Sequence, residues 1–413
     1  MIWSPRRRLR RGETVWAGDA GPTVPSRPLP SIVVADVVVV GAGISGALVT
    51  RALRLSGRDV VIVDRRRPVA GSTLASTALL QYELDVPLHR LAQRIGWSRA
   101  KRAWQRSARA VADLGDIVRA DHLRCQFMSC DSLYLAGSRY GRRALQYEAE
   151  SRRRAGLSAQ YLDGRTVREL YGIERTGAIL SAGAAVAHPV RLTAGLLRAS
   201  IRAGVRLFHD ADIVDVQHAR GGVMLVASEG RVLIANHVVF CSGYEVPAIV
   251  PRSTHHILST WAIAARTTPP VPAWLHRTVV WEAATPYLYL RTLPDGRVLA
   301  GGRDERSGSA HTDRRRLPRK ARLLTEDVGT LLPDLSLHVT HTWGGAFGES
   351  TSGLPLIDRL PGHSRAWVVA GFGGNGITFS VVAAQVVSAA INGTPDPDAA
   401  LFRTGAHIRS HIT

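Results

Sequence analysis

The chain has 413 residues, of which 45% are hydrophobic, so it can bury more than one core and we expect two domains. Its formal net charge of +20 comes almost entirely from arginine, since Lys101 and Lys320 are the only lysines. The arginines are spread along the chain and carry no nucleic-acid-binding signature. We therefore interpret them as a solvated surface and expect no nucleic-acid partner.

Cysteine spacing and hydropathy indicate where the protein works. Cys125, Cys130 and Cys241 are too few for a disulfide framework and lack the spacing of a zinc site, which fits a reducing cytoplasm and predicts no metal. No apolar run reaches 18 residues without a charge or a glycine, and no apolar core follows the arginines at 6–11. We therefore predict neither a membrane span nor export.

The first part of the chain divides into a leader and a βαβ unit. Residues 1–34 are rich in Arg, Gly and Pro, which predicts a mobile or loosely docked basic leader. The β-branched run 37–40 is typical of a strand buried on both faces of a parallel sheet. A glycine turn, a helix over 47–55 and a second buried strand over 60–63 follow, and this strand ends at Asp64.

The rest of the chain alternates helical and strand-like segments, the pattern of an α/β protein. No internal repeat is present. Helices are predicted over 88–120, 142–156, 190–202 and 377–391. Strands are predicted over 130–140, 205–208, 223–227, 231–240, 287–291, 297–300 and 366–370.

The turn Gly41-Ala-Gly-Ile-Ser-Gly46 is the pattern that binds a dinucleotide pyrophosphate. Gly41 allows the tight turn, Gly43 lets the phosphates approach the backbone, and Gly46 lets the helix pack on the strand. The amides of the helix N-terminus and its dipole favour negative charge. Asp64 ends the second strand, where its carboxylate can accept hydrogen bonds from a ribose. The unit predicts a dinucleotide cofactor and by itself leaves NAD and FAD open.

Two further segments favour FAD. The run 71–78, Gly-Ser-Thr-Leu-Ala-Ser-Thr-Ala, carries four hydroxyls and small side chains, which suit a chain that passes close to a ribityl or pyrophosphate group. The run 371–378, Gly-Phe-Gly-Gly-Asn-Gly-Ile-Thr, opens a helix near the C-terminus. The amides and dipole of this helix could stabilise the negative charge that a reduced flavin gathers.

These motifs resemble those of the D-amino-acid oxidase family of flavoproteins, over roughly residues 35–395. The matching segments are 35–46, 238–244, 343–348, 353–357 and 374–378. The resemblance implies an α/β protein with an FAD-binding Rossmann-like domain and a mixed α+β substrate domain built from insertions. Accordingly, we expect the FAD-binding domain over 35–90, 160–245 and 341–413 and the substrate domain over 91–159 and 246–340.

The resemblance also implies cofactor contacts. Ile213 and Val214 are expected to hold the adenine side through their backbone, and Ser242 and Gly243 to lie against the pyrophosphate half. Residues 375–378 are expected to meet the flavin ring. The predicted FAD-binding residues are Gly41, Gly43, Ile44, Ser45, Gly46, Asp64, Arg65, Ser72, Thr73, Ser76, Thr77, Ile213, Val214, Ser242, Gly243, Gly374, Asn375, Gly376, Ile377 and Thr378.

The substrate region departs from the family pattern. Members that oxidise amino acids commonly place an arginine soon after the Trp-x-Gly motif, where it grips a carboxylate in two hydrogen bonds. Here residues 346–349 are Ala-Phe-Gly-Glu. Arg291 or Arg303 could supply the charge from another strand, or Glu349 could hold a cationic amine instead.

Two tyrosines complete the predicted substrate site. Tyr287 and Tyr289 alternate with leucines, so both hydroxyls would point to one face and could orient a substrate. The segment 81–83 could line the same cavity. The predicted catalytic residues are Tyr287, Tyr289, Arg303 and Glu349.

The function that the resemblance implies is removal of a hydride by FAD from the carbon of an amine or amino-acid C–N bond. Two other functions stay open at this stage: a flavin-dependent 2-hydroxy-acid dehydrogenase and a basic RNA-associated flavoprotein. With two lysines in the chain, little favours a lysine that activates oxygen beside the flavin. An oxidase and a dehydrogenase with another electron acceptor are therefore both hypotheses.

Overall fold

The computed structural model describes residues 6–19, 21, 23–219 and 221–403. Its strands are β1 (Arg10–Gly12), β2 (Arg27–Pro28), β3 (Ile32–Val40), β4 (Val60–Val63), β5 (Leu79–Leu80), β6 (Met128–Leu135), β7 (Gln160–Asp163), β8 (Gly177–Val186), β9 (Arg206–His209), β10 (Ile213–Ala219), β11 (Gly222–Ala227), β12 (Val232–Phe240), β13 (His255–Thr268), β14 (Thr278–Glu282), β15 (Leu288–Thr292), β16 (Val298–Glu305), β17 (Ser336–Ser350), β18 (Leu356–Leu360) and β19 (His363–Ala370). Its helices are α1 (Ile44–Leu55), α2 (Leu88–Ile95), α3 (Trp97–Ala120), α4 (Arg142–Arg154), α5 (Gly164–Tyr171), α6 (Pro189–Arg202), α7 (Arg316–Leu331) and α8 (Gly376–Ile391).

The first sheet is built around the predicted βαβ unit. Its strand order is β10-β11-β12-β3-β4-β9-β2, and β19 joins beside β12 and pairs with β18. Strand β3 runs parallel to β12 and to β4. Val37, Val38 and Val39 are fully buried because both faces of this strand are covered. The predicted α/β fold class with a Rossmann-like unit is confirmed.

The second sheet has the order β1-β17-β13-β16-β15-β14-β6-β8-β5, with β7 paired to β8. Its longest pairing joins β13 and β17 in antiparallel register from His255 opposite Ser350 to Thr268 opposite Ser336. Strands β7, β8 and β17 therefore belong to this sheet, whereas the sequence analysis assigned 160–186 and 341–350 to the FAD-binding domain. Those assignments kept consecutive segments in one domain, but the strands of this sheet pair with strands from distant segments of the chain.

Helix α8 is the core helix behind the first sheet, where it packs against α1 and α3. Within the described part of the chain, Gly373–Ile391 is the one helical stretch long and apolar enough to cross a membrane, and 67% of it is buried inside the protein. The predicted helix over 88–120 is two helices, α2 and α3, because Gly96 between them has a φ of 85° that ends α2.

The leader is docked on the protein, contrary to the expectation of a mobile or loosely held segment. Strand β1 extends the second sheet by pairing with β17. Trp16 is 3% exposed, and its Nε1 donates a hydrogen bond of 2.8 Å to the backbone oxygen of Ser76. Leu9 and Val15 are also buried. The Arg, Gly and Pro composition of the leader outweighed these few apolar residues in the prediction. The sequence of the leader also does not show that β17 offers an open strand edge for pairing.

Replacing Trp16 with alanine is expected to lower the free energy of unfolding by about 3 to 5 kcal/mol, because a buried indole is removed and the leader loses its main anchor. Urea denaturation followed by circular dichroism measures the change. Glu13→Ala, at an exposed position of the same segment, is the matched control and should change the free energy little. Equal stability of the two variants would contradict docking of the leader.

Candidate active site

One cavity lies where the carboxyl ends of the parallel strands of the first sheet meet the second sheet. The first sheet contributes the glycine turn after β3 and the segment after β12, and the second sheet contributes β13, β14, β15 and β17. The loop before α8 closes one side. The predicted residues that line the cavity are Gly41, Gly43, Ile44, Ser45, Asp64, Arg65, Ser72, Thr73, Ser76, Thr77, Ile213, Ser242, Gly243, Tyr287, Tyr289, Gly374, Asn375, Gly376 and Ile377.

The glycine turn is tight enough to require glycine. Gly41 has a φ of 119°, and a Cβ there would lie 2.4 Å from the carbonyl oxygen of Cys241. A Cβ at Gly46 would lie 1.8 Å from the carbonyl oxygen of Gly41. Gly43 caps the N-terminus of α1 and lines the cavity. The turn thus places the N-terminus of α1 at the cavity, which is a place for a pyrophosphate.

Asp64 closes this turn from the end of β4. Its carboxylate accepts hydrogen bonds from the backbone N–H of Ala42 at 2.7 Å and of Arg66 at 2.8 Å. Burial raises the pKa of the Asp64 carboxyl, while these two hydrogen bonds and the charge of Arg66 act to lower it. The carboxylate therefore holds the turn and also faces the cavity, where a ribose could bind it.

The hydroxyl-rich loop at 71–78 packs over the same turn. The Oγ1 of Thr73 accepts a hydrogen bond of 3.1 Å from the N–H of Ile44 at the start of α1. The Oγ of Ser72 is buried and has no hydrogen-bond partner within the described protein, although Ser72 lines the cavity. An orphaned hydroxyl at this position fits a cofactor that supplies the missing partner. Ser45 contributes less, because its hydroxyl is bonded to Ser380 at 2.7 Å.

Acidic and basic side chains form ion pairs at the end of the cavity next to Ile213. Arg66 forms two hydrogen bonds to the buried Glu245, at 2.6 and 2.7 Å. Arg65 lies 3.0 Å from Asp212. Glu245 also accepts a hydrogen bond of 2.6 Å from the backbone N–H of Arg7, so the leader covers this end. Val214, predicted beside Ile213, does not line the cavity, because successive residues of a strand point to opposite faces.

The loop before α8 forms the opposite end. The N–H of Gly374 donates a hydrogen bond of 2.8 Å to Asp85, and the side-chain amide of Asn375 donates one of 2.6 Å to the backbone oxygen of Glu83. Thr378, predicted to meet the flavin, instead donates to the backbone oxygen of Gln81 at 3.0 Å and does not line the cavity. The segment 81–85 therefore fixes the shape of this loop.

Aromatic side chains form the walls at this end. Tyr287 and Tyr289 both line the cavity, with ring centroids 6.0 Å apart. The Tyr287 hydroxyl donates a hydrogen bond of 2.9 Å to Asp304. Burial, followed by the charge of Asp304, raises the pKa of Tyr287 well above its ordinary value. The remaining aromatic lining residues here are Tyr244, Trp281, Phe347 and Phe372.

The charged residues that the sequence proposed for substrate binding lie elsewhere. Arg303 pairs through two nitrogens with Asp327 of α7 and does not line the cavity. Arg291 is buried and donates to the backbone oxygens of Thr77 and Ala187. Both arginines therefore donate to acceptors within the protein. The predicted strand 287–291 included Arg291 and the predicted strand 297–300 ended before Arg303, and neither pattern specifies these partners.

Glu349 also differs from the expectation. Glu349 does not line the cavity, although its charge acts on Asp85 and Asp304. Lys320 lies on α7, where its ammonium donates to the backbone oxygen of Arg303 at 2.7 Å and lies 2.9 Å from Glu305. Within the described ranges no lysine lines the cavity and no group of three or more His, Cys, Asp or Glu side chains could hold a metal ion.

Sequence reasoning missed Asp85, Asp304 and the buried Arg152 network behind the cavity. Arg152 is fully buried and contacts Glu148 at 2.9 Å and Glu83 at 3.5 Å. The interpretation of the arginines as a solvated surface is therefore wrong for Arg152. Glu148 and Arg152 are four residues apart, so they share one face of a helix whose other positions are strongly polar. This spacing is the signal that could have identified the buried pair.

Comparisons with known proteins identify the family. A family model described as FAD dependent oxidoreductase matches residues 36–390. A protein named probable oxidoreductase OrdL from Haemophilus influenzae is 21% identical over 379 residues, which cover 89% of this chain and 85% of that protein.

Two solved structures share the fold. The glycine oxidase from Geobacillus kaustophilus has a TM-score of 0.74 and 20% identity, and the alignment covers 88% of this chain and 96% of that one. The iminodiacetate oxidase from Chelativorans sp. BNC1 has a TM-score of 0.68 and 20% identity, covering 87% and 96%.

Proposed function

Because the chain belongs to the family of FAD-dependent oxidoreductases, we propose that it oxidises a C–N bond of an amine or amino acid. The observation that carries the proposal is a single cavity that joins the glycine turn of the first sheet to an aromatic pocket beside the loop before α8. Two structural neighbours are named for the oxidation of glycine and of iminodiacetate. Membership of this family identifies FAD as the cofactor. The cavity also leaves space beside the FAD site for a small substrate.

The residues present fit FAD. The glycine turn and Asp64 would hold the pyrophosphate and a ribose, the orphaned hydroxyl of Ser72 would gain a partner, and the loop at 374–376 would face the flavin ring. FAD, when bound, accepts the hydride that the substrate carbon loses. A neutral primary amine that loses a hydride from the carbon bearing its nitrogen becomes an iminium ion with one positive charge. Water adds to the carbon of this ion, and the adduct breaks its C–N bond to give the ketone or aldehyde and ammonium.

The protein's own part is to bind and orient the substrate. Tyr287 and Tyr289 form one wall, and the hydrogen bond from Tyr287 to Asp304 fixes the first ring in place. Trp281 is held by stacking on Tyr134 at a centroid distance of 3.8 Å. These rigid aromatic surfaces exclude water and confine the substrate carbon, which favours a reactive arrangement.

Anaerobic mixing of the FAD-loaded protein with small molecules tests the proposal. We expect bleaching of the visible flavin absorbance by members of an amine and amino-acid panel, and none by 2-hydroxy acids of the same carbon skeletons. Bleaching by the hydroxy acids alone would overturn oxidation at a C–N bond in favour of oxidation at a C–O bond. The same anaerobic mixture without substrate controls for photoreduction of the flavin.

We also propose that the protein works in the cytoplasm. Cys125, Cys130 and Cys241 are free and buried, so the described fold needs no oxidising compartment to form disulfides. The core helix α8 is covered by other parts of the protein on most of its surface.

A further inference from the structure

The flavin-loop end of the cavity, defined as the surface formed by Glu83, Asp85, Trp281, Tyr287 and Phe347 with their neighbours, is negatively charged. The arginines that line the described cavity are Arg65 and Arg66, and both are at the opposite end, close to Glu245. No described arginine, lysine or histidine lines the flavin-loop end. A substrate carboxylate would find no cationic partner there.

One carboxylate faces this end directly, and a second lies buried behind it. Asp85 is exposed to the cavity and accepts a single hydrogen bond from the described protein, from the N–H of Gly374. The side chain of Glu83 is fully buried behind the lining of the cavity. Burial raises the pKa of its carboxyl, while the charge of Arg152 and hydrogen bonds from Ser132 and Ser181 act to lower it. Arg152 lies 3.5 Å from Glu83 but is bonded more closely to Glu148, so one arginine serves two glutamates.

Aromatic faces surround the same space. Tyr244, Trp281, Tyr287, Tyr289, Phe347 and Phe372 all line it. The face of an aromatic ring attracts an alkylammonium ion, and several rings together form a cage for one. Phe347 stands where an arginine would grip a carboxylate in the amino-acid-oxidising relatives that the sequence resembles. The rings and the carboxylates thus favour the same kind of ligand, although they are independent features.

A further acid and a lysine lie behind this end. Asp304 accepts a hydrogen bond from Tyr287; burial raises the pKa of the Asp304 carboxyl, while hydrogen bonds from Thr260 and Tyr287 and the charge of Lys320 act to lower it. Burial raises the pKa of Asp85 to about 6, and the charges of Glu349 and Asp304 act in the same direction, while the Gly374 N–H and Arg139 act to lower it. These groups repel one another, so a bound cation would stabilise them.

We propose that the substrate is a diamine or polyamine without a carboxylate, whose second, protonated amine is held by Asp85 within the aromatic walls. The proposal rests on the C–N oxidation proposed above and names its substrate class. The reacting amine loses its hydride as written there. The second ammonium group keeps its proton throughout and serves only for binding.

Three probes of matched chain length test this class: 1,4-diaminobutane, butylamine and 4-aminobutanoate, whose far ends are cationic, neutral and anionic. We expect the diamine to bleach the FAD-loaded protein anaerobically with an apparent Kd, taken from the concentration dependence of the bleaching rate, at least tenfold lower than that for butylamine, and we expect no bleaching by 4-aminobutanoate. A tenfold ratio corresponds to about 1.4 kcal/mol. Equal efficiency of the diamine and butylamine, or preference for 4-aminobutanoate, would overturn the proposal.

The variant Asp85→Asn is expected to raise the apparent Kd for 1,4-diaminobutane about tenfold and to leave the apparent Kd for butylamine almost unchanged, because the second cation alone loses its partner. The butylamine value in the same variant reports any general damage to the site. Asp116→Asn, on the exposed face of α3, is the matched control with an equal change in net charge. An equal rise for both amines in Asp85→Asn would assign Asp85 a structural role and overturn its place in binding.

Failure of this inference is distinguishable from failure of the proposed function. Bleaching by alanine or glycine with no bleaching by the three probes would keep oxidation at a C–N bond and overturn the diamine class. No bleaching by any amine or amino acid, in a protein that retains its yellow FAD, would overturn both.

Discussion

Gly43→Val is expected to lower the affinity for FAD on the order of 100-fold, about 2.8 kcal/mol, while the protein stays folded. Gly43 lines the cavity at the first turn of α1, so a branched side chain would occupy the space through which phosphates reach the helix amides. Its backbone is extended, with φ of −89° and ψ of −170°, which valine adopts readily. Titration of the apoprotein with FAD, followed by flavin fluorescence, measures the loss.

The matched control is Gly329→Val in α7, where an added Cβ meets no atom within 4 Å and the φ is not positive. This variant is expected to bind FAD like the parent protein. Circular dichroism of both variants should match the parent spectrum, since the nearest atom to a Cβ at Gly43 is the Oγ1 of Thr73 at 3.2 Å. Unchanged FAD affinity in Gly43→Val would contradict the assignment of this turn to the pyrophosphate.

Arg152→Leu is expected to lower the free energy of unfolding by about 3 to 5 kcal/mol, because it leaves Glu148 and Glu83 buried without a cation. The guanidinium also lies over the ring of Trp104 at 4.8 Å, a contact that leucine replaces only in part. Urea denaturation measures the change. Arg153→Leu removes a neighbouring arginine that is 61% exposed and pairs with Glu150, so it should cost less than about 0.5 kcal/mol.

The effect of Arg152→Leu should depend on pH. Burial alone would raise the pKa of Glu148, but the charge of Arg152 and hydrogen bonds from His89 and Arg152 outweigh it and lower the pKa from 4.5 to about 2. A carboxyl with a lowered pKa stabilises the fold above its unfolded pKa, and this stabilisation is lost as the pH falls towards the folded pKa. The difference between parent and variant should therefore be largest above the unfolded pKa of 4.5 and shrink below it. A difference independent of pH would contradict the ionic role of Arg152.

The FAD half of the site was predictable because its parts are close in sequence. The strand, glycine turn, helix and acid occur between residues 37 and 64, and their identities are imposed by local geometry such as the φ of 119° at Gly41. The family and the cofactor are confirmed. The contacts of individual residues with FAD stay predictions, and Val214 and Thr378 do not line the cavity.

The substrate half could not be predicted in the same way, because its residues meet only through long-range pairing. Tyr289 comes from β15, Phe347 from β17 and Asp85 from the loop before α2, and the pairing of the second sheet and the packing of α8 bring them to one cavity. Arg303 shows the limit clearly. The predicted strand 297–300 ended before it, whereas β16 extends to Glu305, and the Arg303 side chain pairs with Asp327 on a helix that follows later in the chain.

By itself, the sequence determined the α/β fold class, the dinucleotide turn and FAD as the cofactor, since each depends on backbone geometry and periodicity within a short segment. The tertiary structure alone decided which strands share a sheet, that the leader docks through Trp16, and that Arg152 is buried between two glutamates. It also decided that the flavin-loop end holds acids and aromatic rings. The reason is that burial and charge pairing depend on neighbours in space, which sequence spacing does not specify.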